Sequence, residues 1–231
     1  MKRILTTLLL GVATMAQAEY RMSLFELTVK PEQQQAIEAV GKTNLGTSIQ
    51  TEAGTLAMFH TVKKGEPNKN VILEIYQDEA AYQAHTNAPY FKQFVEIAKT
   101  AVMGRKVVPL DSQILLEKQP LTAFENGDYL INLAEVSVKS AQNEDFKAIV
   151  LDEMQQSMAK ENGVILMYAA TLKDQPNEWR FFEIYANETA YQQHRSTAHF
   201  QAYLTQTQTM VERKNVTALV GKTLASKGLF K

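Results

Sequence analysis

Two kinds of side chain suited to moving protons recur in this chain at one interval. His85 is matched by His194, and Glu74 by Glu183, each pair 109 positions apart. An imidazole titrates near neutrality and works as a general base when a second group fixes its orientation. A carboxylate is a common orienting group, so the set supports proton abstraction with His85 or His194 as base. The same four residues can also form two structural pairs, each histidine closing a helix end against its glutamate, because ion-pair networks perturb histidines too. Recurrence does not separate these readings, since fold signatures duplicate as readily as sites.

The histidines belong to a longer repeat. Residues 74–85, Glu-Ile-Tyr-Gln-Asp-Glu-Ala-Ala-Tyr-Gln-Ala-His, return as residues 183–194, Glu-Ile-Tyr-Ala-Asn-Glu-Thr-Ala-Tyr-Gln-Gln-His. The ungapped register also carries Tyr20 onto Tyr129, Gly54 onto Gly163, Pro67-Asn68 onto Pro176-Asn177, and Phe91 onto Phe200. Chance does not hold one register over that span, so the chain is a tandem duplication of one domain. The copies are assigned to residues 19–118 and 129–231, with a linker at 119–128 that contains Pro120 and Gly127.

Within each copy, residues 20–29 and 129–138 alternate as strands that are apolar on both faces, which predicts a sheet covered on both sides. Pro31 and Ser140 are expected to open the following helices, and Gly54 and Gly163 to stop them as C′ glycines. Strands are predicted over 55–63 and 164–172, then 71–77 and 179–186, with turns at Pro67-Asn68 and Pro176-Asn177. Asp78 and Asn187 are cap-type residues for a short helix that carries His85 or His194. Asn87 and Ser196 are read as caps of a further helix, and last strands are placed at 105–117 and 214–223. The result is β-α-β-β-α-β twice, an α+β chain of ferredoxin-like repeats. One such sheet leaves an apolar face bare. Its tandem copy can cover that face, so a single pseudo-dimeric, barrel-like body is expected, closed across the copies so that edges disappear.

The beginning of the chain, Met1-Lys2-Arg3, an apolar run from Ile4 to Val12, and Ala16-Gln17-Ala18, has the features of a signal peptide over residues 1–18. A soluble periplasmic protein is therefore expected, with no membrane association after cleavage. Losing Lys2 and Arg3 leaves 24 − 2 = 22 basic residues against 25 acidic ones. That balance argues against nucleic acid or anionic lipid as main partner. The absence of cysteine excludes thiol nucleophiles, thiolate metal sites and disulfides. Nucleotide fingerprints and the G-x-S-x-G motif are also missing.

The pattern Glu74-Ile75-Tyr76, Ala81, His85, Pro89-Tyr90-Phe91, repeated as Glu183-Ile184-Tyr185, Ala190, His194, Ala198-His199-Phe200, resembles the antibiotic-biosynthesis monooxygenase family, closest to its quinol monooxygenase branch. The likeness covers nearly the whole chain after residue 18 and implies a dimeric α+β barrel, here built within one chain. It implies oxygenation without metal, flavin or other cofactor: an acidic hydroxyl of a small aromatic or quinone-like substrate is deprotonated, and its anion reduces dioxygen. Haem degradation, found in another branch, is disfavoured because His85 and His194 stand near the place of that branch's tryptophan, and Val95 and Leu204 near its iron-binding histidine.

For the substrate, Met58, Phe59, Met167 and Tyr168 on strand two are candidate pocket residues. Tyr76 and Tyr185 share a face with the glutamates, and Tyr82 and Tyr191 lie on the histidine helices. All of these are otherwise ordinary core residues. Trp179, His194 and His199 together favour the second copy as the surviving site. His199 follows His194 by five residues, a poor helical spacing for one metal ion with no third ligand nearby, so no metal site is expected. The reading from a different class is a non-catalytic periplasmic module that holds a small apolar ligand on the same duplicated fold.

Overall fold

The computed structural model describes residues 20–122 and 129–231. The expected signal peptide and residues 123–128 of the expected linker lie outside the described residues. The first copy runs β1 (Arg21–Val29), α1 (Gln34–Thr51), β2 (Thr55–Lys63), β3 (Glu66–Tyr76), α2 (Glu79–Asn87), α3 (Pro89–Ala101) and β4 (Val102–Glu117). The second repeats it as β5 (Leu130–Val138), α4 (Asn143–Lys160), β6 (Val164–Leu172), β7 (Gln175–Tyr185), α5 (Glu188–Ser196), α6 (Ala198–Thr207) and β8 (Val211–Ser226).

All eight strands pair antiparallel and close in the order β1-β3-β2-β8-β5-β7-β6-β4, with β4 returning to β1. The last strand of each copy is longer than its sequence pattern predicts because it serves both copies. β4 pairs with β1 from Val102 to Leu110, then with β6 from Leu110 to Glu117. β8 pairs with β5 and then, from Leu219 to Ser226, with β2. Closure removes the free sheet edges, as expected.

Strand alternation sorts the apolar residues. Met22, Leu24, Phe59, Leu73, Ile75, Tyr168 and Phe182 join one core inside the barrel, where Phe59 stacks on Phe182 at 5.2 Å. Phe230 packs at one end of this core, 5.4 Å from the Tyr20 ring and 5.5 Å from that of Tyr168. Leu121 is tied there as well, its N–H donating to Ser226 Oγ at 3.1 Å. The opposite faces of the strands carry the helices. On α1 the buried stripe is Ile37, Gly41, Asn44, Leu45 and Ser48, and on α4 it is Phe146, Val150, Glu153, Met154 and Ser157. Polar and small residues in the stripe explain the weak apolar periodicity of α1. No helix among the described residues is long and apolar enough to cross a membrane.

Several local expectations change. Pro31 and Ser140 open short 3-10 turns, and α1 and α4 begin three residues later without side-chain caps. Asp78 and Asn187 do cap, accepting from Ala81 N and Ala190 N. Asn87 and Ser196 instead close α2 and α5 by donating back to Gln83 O and Gln193 O, and the N-caps of the next helices are Ala88, without a side-chain hydrogen bond, and Thr197, whose Oγ1 accepts from Phe200 N. The β2–β3 turn falls at Gly65, whose φ of 84° suits glycine, and Pro67 and Asn68 lie inside β3. Gly54 and Gly163 do not adopt a left-handed conformation. They are required by close approach: a Cβ on either would lie 2.4 Å from Cβ of Ala81 or Ala190.

Candidate active site

In the first copy a cavity of about 330 Å³ opens between the outer face of the sheet and its helices. Phe25 and Leu27 of β1, Ile72 and Glu74 of β3 and Arg105 of β4 form its floor. Asn44 and Leu45 of α1, Tyr82 of α2, and Phe91, Phe94, Val95 and Ala98 of α3 form its walls, with Lys99 beside them. Strand alternation places Glu74 here, since it shares the helix-facing side of β3 with Ile72 and Tyr76.

Glu74 is the sole carboxylate of this lining and is 7% exposed. Its Oε2 accepts the Tyr76 hydroxyl at 2.8 Å. Burial pushes the Glu74 pKa up, against the opposing pulls of His85, the Tyr76 hydrogen bond, Arg21 and Arg105. The chamber is therefore apolar and aromatic, with one carboxyl made more basic than usual by desolvation. Asn44 Oδ1 is buried without a hydrogen-bond partner among the described residues. Arg105 lies over the Phe25 ring at 5.7 Å.

His85 stands behind this wall. It is fully buried, with its ring 4.8 Å from that of Phe91 and 5.5 Å from that of Tyr76. Its Nδ1 lies 3.2 Å from both oxygens of Glu52 and 3.1 Å from Ser48 Oγ. Its direct carboxylate partner is thus Glu52, at the C-terminal end of α1. The expected hydrogen-bonded pairing with Glu74 does not form. Tyr90 and Thr55 also donate to Glu52. Burial works to raise Glu52, but the hydrogen bonds from His85, Thr55 and Tyr90 outweigh it and hold the carboxyl below its usual range. Sequence reasoning missed Glu52, Ser48 and their counterparts Glu161 and Ser157. The signal was present, because both pairs obey the 109-residue register.

The second copy repeats this framework around a cavity of only about 50 Å³, which reverses the sequence-based preference for that half. Phe181 stands where the first copy has Ile72, Met154 where it has Leu45, Tyr203 where it has Phe94, and Val150 where it has Gly41. Trp179, which replaces Asn70, is fully buried and stacks on Phe181 at 5.8 Å. Its Nε1 donates to Asn143 Oδ1 at 2.8 Å. Trp179 therefore props the closing residue and lines neither of these two cavities. Glu183, Tyr185 and Tyr191 line the remnant, and Tyr185 donates to Glu183 at 3.0 Å. Burial raises Glu183 as it does Glu74.

Tyr82 is thus the one candidate substrate residue that lines the larger cavity. Met58, Phe59, Tyr76, Met167, Tyr168 and Trp179 line neither cavity. Strand alternation turns Phe59 and Tyr168 into the barrel, where the Tyr168 hydroxyl donates to Glu117 at 3.0 Å. Met58, Met167 and Tyr76 are sealed in the core beneath the helices. His194 and His199 share Glu161: Oε1 lies 3.0 Å from His194 Nδ1 and 2.6 Å from His199 Nε2. The expectation that these two histidines lack a third metal-capable neighbour fails, because α4 brings Glu153 beside them, with ligand atoms of all three within 4.8 Å of one another.

Comparison with known proteins agrees with this architecture. The sequence pattern described as antibiotic biosynthesis monooxygenase matches residues 22–97 and 130–206. A crystal structure from Lactobacillus acidophilus NCFM, provisionally named a monooxygenase, is 30% identical with a TM-score of 0.85, covering 91% of this chain and 97% of its own. A second such protein, from Fusobacterium nucleatum subsp. nucleatum, is 23% identical at a TM-score of 0.84 over 92% of this chain and 97% of its own, and shows the shared fold. An anthrone oxidase-like protein shares the fold at 10% identity and a TM-score of 0.59, over 92% of this chain and 94% of its own. No protein of curated function matches the chain in sequence. Both halves of the barrel carry the same family pattern, and the chain belongs to the antibiotic biosynthesis monooxygenase family, with two copies of the domain on one polypeptide.

Proposed function

We propose that the chain is an exported, periplasmic, cofactor-independent monooxygenase that oxidises a small quinol-like aromatic in the chamber of its first copy. The observation that carries this reading is the chamber itself. Its volume falls in the usual range of about 300–1,000 Å³ for small-molecule sites. Aromatic rings wall it, and its one carboxyl is rendered basic by burial.

In this mechanism Glu74 accepts the proton of a bound phenolic hydroxyl, with Tyr76 fixing the orientation of the carboxylate. Glu74 replaces His85 as the proposed base because it faces the chamber and His85 does not. His85 acts as a positioning residue: it holds Phe91 and, through Glu52, the end of α1. The apolar walls exclude water from the electron-rich anion, which then transfers electrons to dioxygen. One oxygen atom forms a bond to a ring carbon ortho to the hydroxyl, replacing its hydrogen. The other leaves as water with two of the hydrogens lost from oxygen and carbon. Quinol and dioxygen thus become hydroxyquinone and water, and the substrate itself supplies the four electrons.

The test is oxygen uptake with a panel of hydroxylated aromatics, comparing wild type with Glu74→Gln and Glu183→Gln. Loss of uptake in the first variant alone supports the reading. Tight binding of the aromatics without uptake by any form supports the non-catalytic binding module instead.

A further inference from the structure

The two copies surround the same histidine with different neighbours. Around His85 stand Asn44, Tyr90 and Glu52. In the same register around His194 stand Glu153, His199 and Glu161. The glutamate is unchanged, and the other two positions each exchange a poor ligand for a good one, an amide for a carboxylate and a phenol for an imidazole. The duplication thus supplies its own control.

The geometry follows the chemistry. Glu153 Oε1 lies 3.9 Å from His194 Nε2, and the side chains of Glu153 and His194 are 8% and 1% exposed. The His199 side chain is 8% exposed. His194 Nε2 is buried and has no hydrogen-bond partner among the described residues. Its other ring nitrogen faces Glu161 at 3.0 Å. A carboxylate at Nδ1 fixes the tautomer that carries the proton there and leaves the Nε2 lone pair free, as at histidine metal ligands. The three prospective ligands come from three helices, Glu153 from α4, His194 from α5 and His199 from α6.

We propose that the second copy binds one divalent transition-metal ion, with Zn²⁺ the best match, through Glu153, His194 Nε2 and an imidazole nitrogen of His199. Glu161 is the orienting acceptor. Two imidazoles and a carboxylate suit Zn²⁺, whereas Ca²⁺ and Mg²⁺ call for oxygen ligands throughout. Bonds of about 2.0–2.2 Å place ligand pairs roughly 3–4 Å apart, so a set whose atoms lie within 4.8 Å of one another needs to contract by about 1–2 Å at its widest. The small cavity that Glu153 lines supplies the approach. The ion ties three helices together over the sheet in a chain that has no cysteine for disulfide bonds. The copy that lost its substrate chamber thereby serves as a metal-stapled support.

The test titrates chelator-treated full-length protein with Zn²⁺ by calorimetry, alongside Glu153→Asn and His199→Tyr. Both substitutions install the residue that the first copy carries. The expected result is one ion per chain, an affinity reduced about tenfold or more in each variant, and a Zn²⁺-dependent rise in thermal midpoint that is largest in the wild type. No stoichiometric binding, or undiminished binding in either variant, overturns the proposal. If a variant fails to fold by circular dichroism, amide spectra of the wild type at one equivalent of Zn²⁺ decide. Shifts centred on Glu153, His194 and His199 support the site, and their absence or a centre elsewhere overturns it.

Discussion

The Tyr76 hydroxyl donates to Glu74 Oε2 at 2.8 Å, across a two-residue step of β3 that turns both side chains toward the helices. Desolvation nevertheless dominates, and the Glu74 pKa lies above its ordinary value of 4.5. Between that value and the folded pKa, the folded protein binds more protons than the unfolded chain. Its contribution to stability is full below the ordinary pKa and is lost as pH rises through the folded one. Glu74→Gln, a neutral isostere that still accepts from Tyr76, should therefore gain stability relative to wild type as pH rises. Urea unfolding at about pH 4 and about pH 8 checks this. Glu183→Gln should behave alike, because Glu183 is shifted in the same direction.

Ile72 and Phe181 hold equivalent positions and are central to the difference in cavity volume between the copies. Ile72→Phe should fill the first chamber and abolish binding of hydroxylated aromatics while leaving the fold intact. Phe181→Ile should enlarge the remnant and destabilise by about 1–4 kcal/mol through lost packing against Trp179 and Phe146. Ligand titration and denaturant unfolding of both variants check the pair.

Gly54→Ala or Gly163→Ala should cost about 1–3 kcal/mol, since the new methyl meets Ala81 or Ala190 at 2.4 Å. Pairing each with Ala81→Gly or Ala190→Gly should restore part of the loss. A double-mutant cycle by urea unfolding measures the restored fraction.

His85→Ala should destabilise by about 1–3 kcal/mol by removing a partner of the part-buried Glu52. As a positioning residue, His85 should affect turnover less than Glu74 does. Removal of a general base costs about 10²–10⁴-fold, and that loss is expected for Glu74→Gln. Comparing kcat for the two variants assigns the roles.

The duplication, the strand order and the closed barrel were legible because each rests on periodicity, which a sequence displays directly. Met22 and Leu24 against Phe25 and Leu27 already specify two buried faces. The partner of His85 was harder to see, because Glu52 lies 33 residues away and meets it only when α2 packs across the end of α1. Glu153 joins His194 and His199 for the same kind of reason. The unequal cavities were hidden because they depend on the sizes of facing side chains. An isoleucine and a phenylalanine at positions 72 and 181 read alike in an apolar pattern. Trp179 suggested a binding site by its type, yet its neighbours made it a wedge. Gly54 and Gly163 were recognised as punctuation, but only the position of α2 and α5 reveals that close packing requires them.

A crystal structure of the protein soaked with a hydroxylated aromatic tests the central claim most directly. The account predicts one ring per chain, held among Phe25, Phe91 and Phe94, with its hydroxyl within about 2.6–3.2 Å of a Glu74 oxygen. A ring seated in the second copy, or one in the first chamber with its hydroxyl turned away from Glu74, would contradict it.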